Sequence, residues 1–365
     1  GRQPKVPGAP RPPRSGGLLL ASRAGSLKSL RQRGHQRPDG RAIGVLDRRP
    51  PRQQSAGLAV VLGGGAMLGA FEIGVIDVLA RRGVRPDLLI GTSVGAINAA
   101  YWAFHPEPQA GTRLLELWLH SDRGALFWDG WPRVLARVLN RQDHLVGHGR
   151  LLQLVRATFS DCSQIEDSQI PLALVATALD AGERMVLRRG RLTPALLAST
   201  ALPGLFPPVL IEGRALIDGG VVANVDVQTA VDAGMSEALV VDVMGTGLTS
   251  RPGSIQSVVD HTIGLSLRRQ TDLALQAIKG KLKVTLLRPE LAFSPSLVDA
   301  SHTQELFDLG RVMAQAYLVQ HINQWAEVAS PGHAAVTAGF STSGRASASV
   351  PAFDNRQPAR HLAKD

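Results

Sequence analysis

The sequence predicts an α/β fold built on a mostly parallel sheet. Two observations carry the prediction. From residue 59 to residue 103, short apolar runs of strand length alternate with stretches of helical periodicity, the order expected of βαβ units. The chain also has 365 residues, of which 44% are hydrophobic, enough for a sizeable core.

The elements follow in order. Ala59-Val60-Val61-Leu62 is an apolar run that ends in Gly63-Gly64-Gly65, so it reads as a buried strand and a tight loop. Helical periodicity runs from Met67 to Arg82, with Phe71, Val75, Val78 and Leu79 on one face, and Gly83 marks the helix end. Asp87-Leu88-Leu89-Ile90 reads as a second strand and Val94 to Ala103 as a second helix. Residues 105 to 160 read as mainly helical, broken near Gly124, Pro132 and Gly147. Further strands are expected at 172–176, 185–187, 239–243 and 284–287, and helices at 254–279 and 302–328.

Charge separates the body from its ends. Residues 1–56 hold 13 Lys or Arg against two acids, Asp39 and Asp47, a net of +11. The other 309 residues hold 27 basic and 28 acidic groups, a net of −1. A Pro-, Gly-, Ser- and Arg-rich segment with little apolar periodicity is expected to be a disordered tail. Its charge suits peripheral contact with anionic membrane. Residues 57–330 are expected to be one catalytic domain, and the Ser-, Gly- and Ala-rich 331–365 a flexible C-terminal tail. Leu18-Leu19-Leu20 is too short for a signal-peptide core. With no run of about 18 apolar residues, a cytoplasmic chain without a membrane span is expected. The single cysteine, Cys162, excludes a disulfide framework and a cysteine metal cluster.

The chemistry concentrates in three short motifs. Gly91-Thr92-Ser93-Val94-Gly95 fits G-x-S-x-G between a strand and a helix. Such an elbow lifts the serine hydroxyl above the sheet edge, and the helix that starts there favours developing negative charge. Gly63-Gly64-Gly65-Ala66 offers bare backbone N–H groups for an oxyanion. It does not complete the dinucleotide frame G-x-G-x-x-G, because Leu68 and Ala66 stand where glycines would be needed, so no cofactor is expected. Ile217-Asp218-Gly219-Gly220 places a carboxylate at a strand end or tight turn. His144 and His148 are spaced i, i+4, but no cluster of acids lies beside them. They read as polar surface, and no metal is expected. Asp242 reads as a strand-end residue. Trp118, Trp128 and Trp131 lie near a lid-like region, with core packing their ordinary role.

Together these residues resemble the patatin-like phospholipases. The resemblance rests on the glycine loop, on the elbow 29 residues from Gly64 to Ser93, on Ala198–Pro208, and on Asp218-Gly219-Gly220-Val221-Val222-Ala223-Asn224. It covers residues 58–231 closely and the rest to about 325 loosely. It implies a single three-layer α/β/α domain and a lipid ester as substrate. Ser93 would be the nucleophile and Asp218 the proton acceptor of a Ser–Asp dyad. Gly64, Gly65 and Ala66 would form the oxyanion hole, and Gly69, Gly91, Gly95, Gly219 and Gly220 would support the motifs. No specific nucleic-acid partner follows. Two departures stand out: alanine at 66 where the family has glycine, and Leu68 where it has a basic residue. Donation from Ala66 requires that its φ stay negative. The departures motivate a rival of another class, a lipid-binding or regulatory pseudoenzyme. The chemical rival is a Ser–Asp–His esterase, with His261 or His302 as the base.

Overall fold

The computed structural model describes residues 57–120, 130–159, 164–245, 253–291 and 299–328. Cys162, Trp128, Gly124 and the two expected tails lie outside them. Contacts divide the chain into Gly1–Pro50 and Pro51–Asp365, and everything described belongs to the second unit.

The sheet has eight strands: β1 (Leu58–Leu62), β2 (Leu88–Thr92), β3 (Leu172–Ala178), β4 (Glu183–Leu187), β5 (Val209–Ile211), β6 (Arg214–Asp218), β7 (Glu237–Val241) and β8 (Lys283–Leu287). Five pair in parallel in the order β3-β2-β1-β7-β8. β1, β2 and β3 are buried at every residue, as parallel strands covered on both faces must be. This is the α/β class that the alternation of runs predicts.

Helices cover both faces. One face packs Ala59, Val61, Leu88, Ile90, Val175 and Val240 into a single cluster with Val227 and Ala230 of a short helix and with Ile278. The opposite face carries α1 (Ala70–Arg81) and α2 (Val94–Phe104), with α3 (Ala110–His120) and the long C-terminal helix packed on α1. The chain winds outward from β1 in both directions, so the loops after β1 and β7 diverge at the carboxyl ends of the strands. Open α/β sheets place ligands at such a point.

Several boundaries differ from the expected ones. The helix expected from Met67 is a 3-10 turn, Ala66–Gly69, followed by α1. Leu68 N–H bonds Gly65 O, so the loop tightens before it becomes helical. Gly83 takes φ +72°, and the pair Gly83 N–H to Ala80 O and Val84 N–H to Leu79 O closes the helix end. The break expected near Pro132 is a helix start, after Gly130 at φ 83°. Pro132 sits in the first turn of α4 (Trp131–Leu139), where its missing N–H costs nothing. Beyond it lie α5 (Gly149–Thr158), α6 (Leu192–Ser199), α7 (Gly220–Ala223), α8 (Val227–Asp232), α9 (Ile255–Ala277) and α10 (Thr303–Val328). Ser254 caps α9, its hydroxyl accepting from Ser257 N–H at 3.1 Å.

Candidate active site

Ser93 follows β2 and caps α2 with φ 55° and ψ −124°, a strained conformation for a residue with a Cβ. Its two flanking glycines are required by space. A Cβ on Gly91 would lie 2.4 Å from Gly95 O, and one on Gly95 would lie 2.4 Å from Leu62 O. The turn is held from outside the motif by Ser199, whose hydroxyl accepts from Ser93 N–H at 3.1 Å and donates to Val175 O at 2.6 Å.

Register brings Asp218 to the serine. On β3, Val175 pairs with Thr92 of β2 and with Val186 of β4. The next residue, Ala176, pairs with Asp218 of β6 and with Met185 of β4. A strand has two edges, and β4 fills one of them, so β2 and β6 lie end to end along the other. Thr92, the residue before Ser93, and Asp218 therefore occupy consecutive places. Gly219 permits the junction: a Cβ there would lie 2.4 Å from Val175 O and 3.0 Å from Thr92 Cγ2.

The Asp218 carboxyl is 2% exposed. Its Oδ1 accepts from Gly220 N–H at 2.7 Å, while its Oδ2 is buried without a hydrogen-bond partner among the described residues. Burial pushes its pKa up to about 6, against the opposing effects of the Ser93 hydroxyl and the Gly220 N–H. Ser93 is thus close enough to act on the carboxyl, but no hydrogen bond of full geometry joins them, and apo sites often show this looseness.

The glycine loop behaves unevenly. Gly64 N–H donates to Asn224 Oδ1 at 3.1 Å, and Asn224 Nδ2 returns a bond to Gly64 O at 3.3 Å. Gly64, expected as an oxyanion donor, is therefore already engaged. The N–H groups of Gly65 and Ala66 make no such bond among the described residues. Ala66 takes φ +49°, so the condition of a negative φ is not met. Alanine sits in the left-handed region, at a cost of about 1–2 kcal/mol. Gly69 lies against α2, where a Cβ would stand 2.5 Å from Val94 Cγ2. Below the loop, Asn98 of α2 donates to Gly69 O at 3.1 Å and to Glu72 Oε2 at 2.8 Å. Burial raises the Glu72 pKa well above the carboxylate range. That pair ties the helix behind Ser93 to the helix behind the loop.

Ser93, Asp218, Gly64, Gly65 and Ala66 all line one cavity of about 670 Å³, within the usual range for ligand sites. One wall is the α9 face of Val259, Ile263 and Leu267, and Leu202 and Leu205 form another. Gly220 also borders the cavity. No histidine lines it among the described residues. His302 Nδ1 lies 3.0 Å from Glu305. His144 pairs with Asp143 at 2.7 Å, and His148 stacks on Phe206. Asp242 is buried in an ion pair with Arg288 at 2.8 Å. Trp118 is buried in the helical layer. Ser199 and Asn224 lie inside the motif segments, which give them no role, and Gln270, whose Nε2 donates to Val221 O, lies outside them. Asn224 is 160 residues from Gly64, and no local spacing could pair them.

An elbow serine thus stands beside a buried carboxyl at the carboxyl edge of a doubly wound α/β sheet. The model of the patatin-like phospholipase family matches residues 60–231, a little under half of the chain. An uncharacterized NTE family protein of Mycobacterium tuberculosis is 30% identical over 202 residues, which cover 50% of each chain. A lysophospholipase of Aspergillus terreus is 30% identical over 188 residues, 51% of this chain and 12% of that one. The chain thus matches at most about half the length of these relatives. Among solved structures, VipD from Legionella pneumophila aligns with a TM-score of 0.42 and 14% identity, over 76% of this chain and 72% of that one.

Proposed function

We propose that residues 57–330 form a serine hydrolase that cleaves carboxylic ester bonds of lipids, of phospholipase or lysophospholipase type. The observation that carries this reading is the pair of Ser93 and Asp218 at the floor of one largely apolar cavity. The match to the patatin-like phospholipase model and the lysophospholipase among the relatives support the substrate class.

Ser93 Oγ attacks the ester carbonyl, and its proton passes to Asp218 Oδ2, the oxygen that Gly220 leaves open. The N–H group of Gly65 receives the oxyanion, and Asn224 holds the loop through Gly64. Collapse of the intermediate forms the acyl-serine, and Asp218 returns the proton to the leaving alcohol. Water, deprotonated by the same carboxylate, then attacks the acyl-serine, and Asp218 returns the proton to Ser93 Oγ as the acid leaves. A pKa near 6 suits this exchange better than the free value near 4. No cofactor enters these steps.

The test is a short-chain chromogenic ester and a fluorophosphonate probe. Ser93→Ala is expected to abolish both hydrolysis and labelling in a folded chain. His261→Gln and His302→Gln are each expected to leave the rate within a few-fold. A loss of roughly 10³-fold in either, with circular dichroism unchanged, would replace the dyad by a triad. A wild-type chain that neither hydrolyses nor labels would favour the lipid-binding pseudoenzyme.

A further inference from the structure

We propose that α4, together with the rim of the cavity, docks the protein on an anionic lipid surface. The proposal rests on the lipid-ester reading for its purpose, not for its evidence. α4 is amphipathic by position. Val134, Leu135, Val138 and Leu139 fall on one side at helical spacing, while Arg133 and Arg137, four residues apart, fall on the other. In a soluble domain the apolar side of such a helix faces the core. Here it does not: Leu135 and Val138 are 56% exposed and Leu139 is 72% exposed. No residue of α4 whose burial is described is buried.

Charge selects the occupant. Residues 130–150 hold four arginines, at 133, 137, 141 and 150, and a single acid, Asp143. A helix with an apolar face and arginines along its other side suits the boundary between acyl chains and anionic head groups. A protein partner with an acidic groove would be a different surface, and the experiment separates the two.

The position also fits. Arg137 donates to Leu145 O. Leu145 N–H bonds Gly204 O and Val146 N–H bonds Leu205 O. Leu205 lines the cavity, so α4 is two hydrogen-bonded steps from the wall beside Ser93. The rim carries further exposed apolar side chains, Val221, Val259 and Ile263. Leu145 continues that surface toward α4 and is exposed as well. A helix lying in the interface would bring the mouth of the cavity to the depth where ester carbonyls sit.

The basic segment 1–56 would also attract anionic vesicles, so the readout must be local. Cys162→Ser chains carrying Leu139→Cys, or Val319→Cys on α10 as an equally exposed control, are labelled with an environment-sensitive fluorophore. They are then mixed with vesicles of equal parts phosphatidylcholine and phosphatidylglycerol. The label at 139 is expected to shift to the blue, and the label at 319 is not. Leu135→Asp in the label-139 chain should weaken the transition at least roughly tenfold, the scale of one leucine withdrawn from an apolar phase. An unshifted label at 139 on vesicle-bound protein, equal shifts at both positions, or an equal shift on pure phosphatidylcholine would overturn the proposal. Hydrolysis of a soluble short-chain ester by the same chains keeps the two readings apart. Docking without hydrolysis sinks the catalytic assignment, and hydrolysis without a shift sinks the docking surface.

Discussion

Asp218 is in conflict with its surroundings, and the conflict is measurable. Its pKa rises from 3.8 to about 6 because burial penalises the carboxylate. For a group raised in the folded state, stability is fully present below the unfolded pKa and is lost as pH rises through the folded one. Ionised Asp218 therefore destabilises the fold above about pH 6, by roughly 2–3 kcal/mol. Asp218→Asn is expected to raise the melting temperature at pH 8, with the gain shrinking toward pH 4. The same change should cut ester hydrolysis by roughly 10²–10⁴-fold, a general-base loss. Wild-type kcat/KM should fall about tenfold per unit below pH 6 as the base is protonated. Melting curves and pH–rate profiles of the two proteins check both statements. An Asn variant whose gain over the wild type is no larger at pH 8 than at pH 4 would contradict the buried charge. In sequence, Asp218 is legible as a carboxylate before two glycines. Its altered pKa is not, because the groups that desolvate it come from other strands and helices.

At the scale of elements, the elbow is set by backbone contact. Leu62 O lies where the Cβ of an alanine at 95 would fall, 2.4 Å away. Gly95→Ala is expected to destabilise the fold by about 1–3 kcal/mol and to lower activity further than stability alone explains. Denaturant unfolding and rates measured below the transition separate the two effects. The parallel strands were readable because each carries a short, mostly apolar run, and the runs of β1 and β2 end at glycines. The end of β6 at Asp218 was readable from the two glycines after it, but the β5–β6 hairpin as a whole was not. Val209–Ile211 and Arg214–Asp218 are short, half-buried and separated by Glu212 at φ 51° and Gly213 at φ 81°, so neither run stands out from a loop. The 3-10 turn at Ala66–Gly69 was likewise hidden inside a helical period, since the spacing of apolar residues hardly changes between the two helix types.

Across the whole molecule, the described sheet begins at Leu58, whose N–H bonds Asp87 Oδ2 at 2.8 Å. Deleting residues 1–52 is expected to leave hydrolysis of a soluble short-chain ester nearly unchanged, and an assay of the truncated chain against the full one decides it. A large loss would make the basic segment part of the working fold. The sheet also has a consequence for how this protein reports on itself. The proposed nucleophile and base, Ser93 and Asp218, come from positions 125 residues apart, yet both are indexed to neighbouring residues of one strand, Val175 and Ala176. A two-residue slip of β6 would keep every side chain on its proper face and still carry the carboxylate about 7 Å from the serine. Such a molecule would pass as folded by helix content and compactness while failing to turn over ester. Turnover per molecule is then an inspection of strand alignment. In a refolded preparation, the fraction titrated by an active-site probe would count the chains threaded correctly, something no bulk spectrum can do.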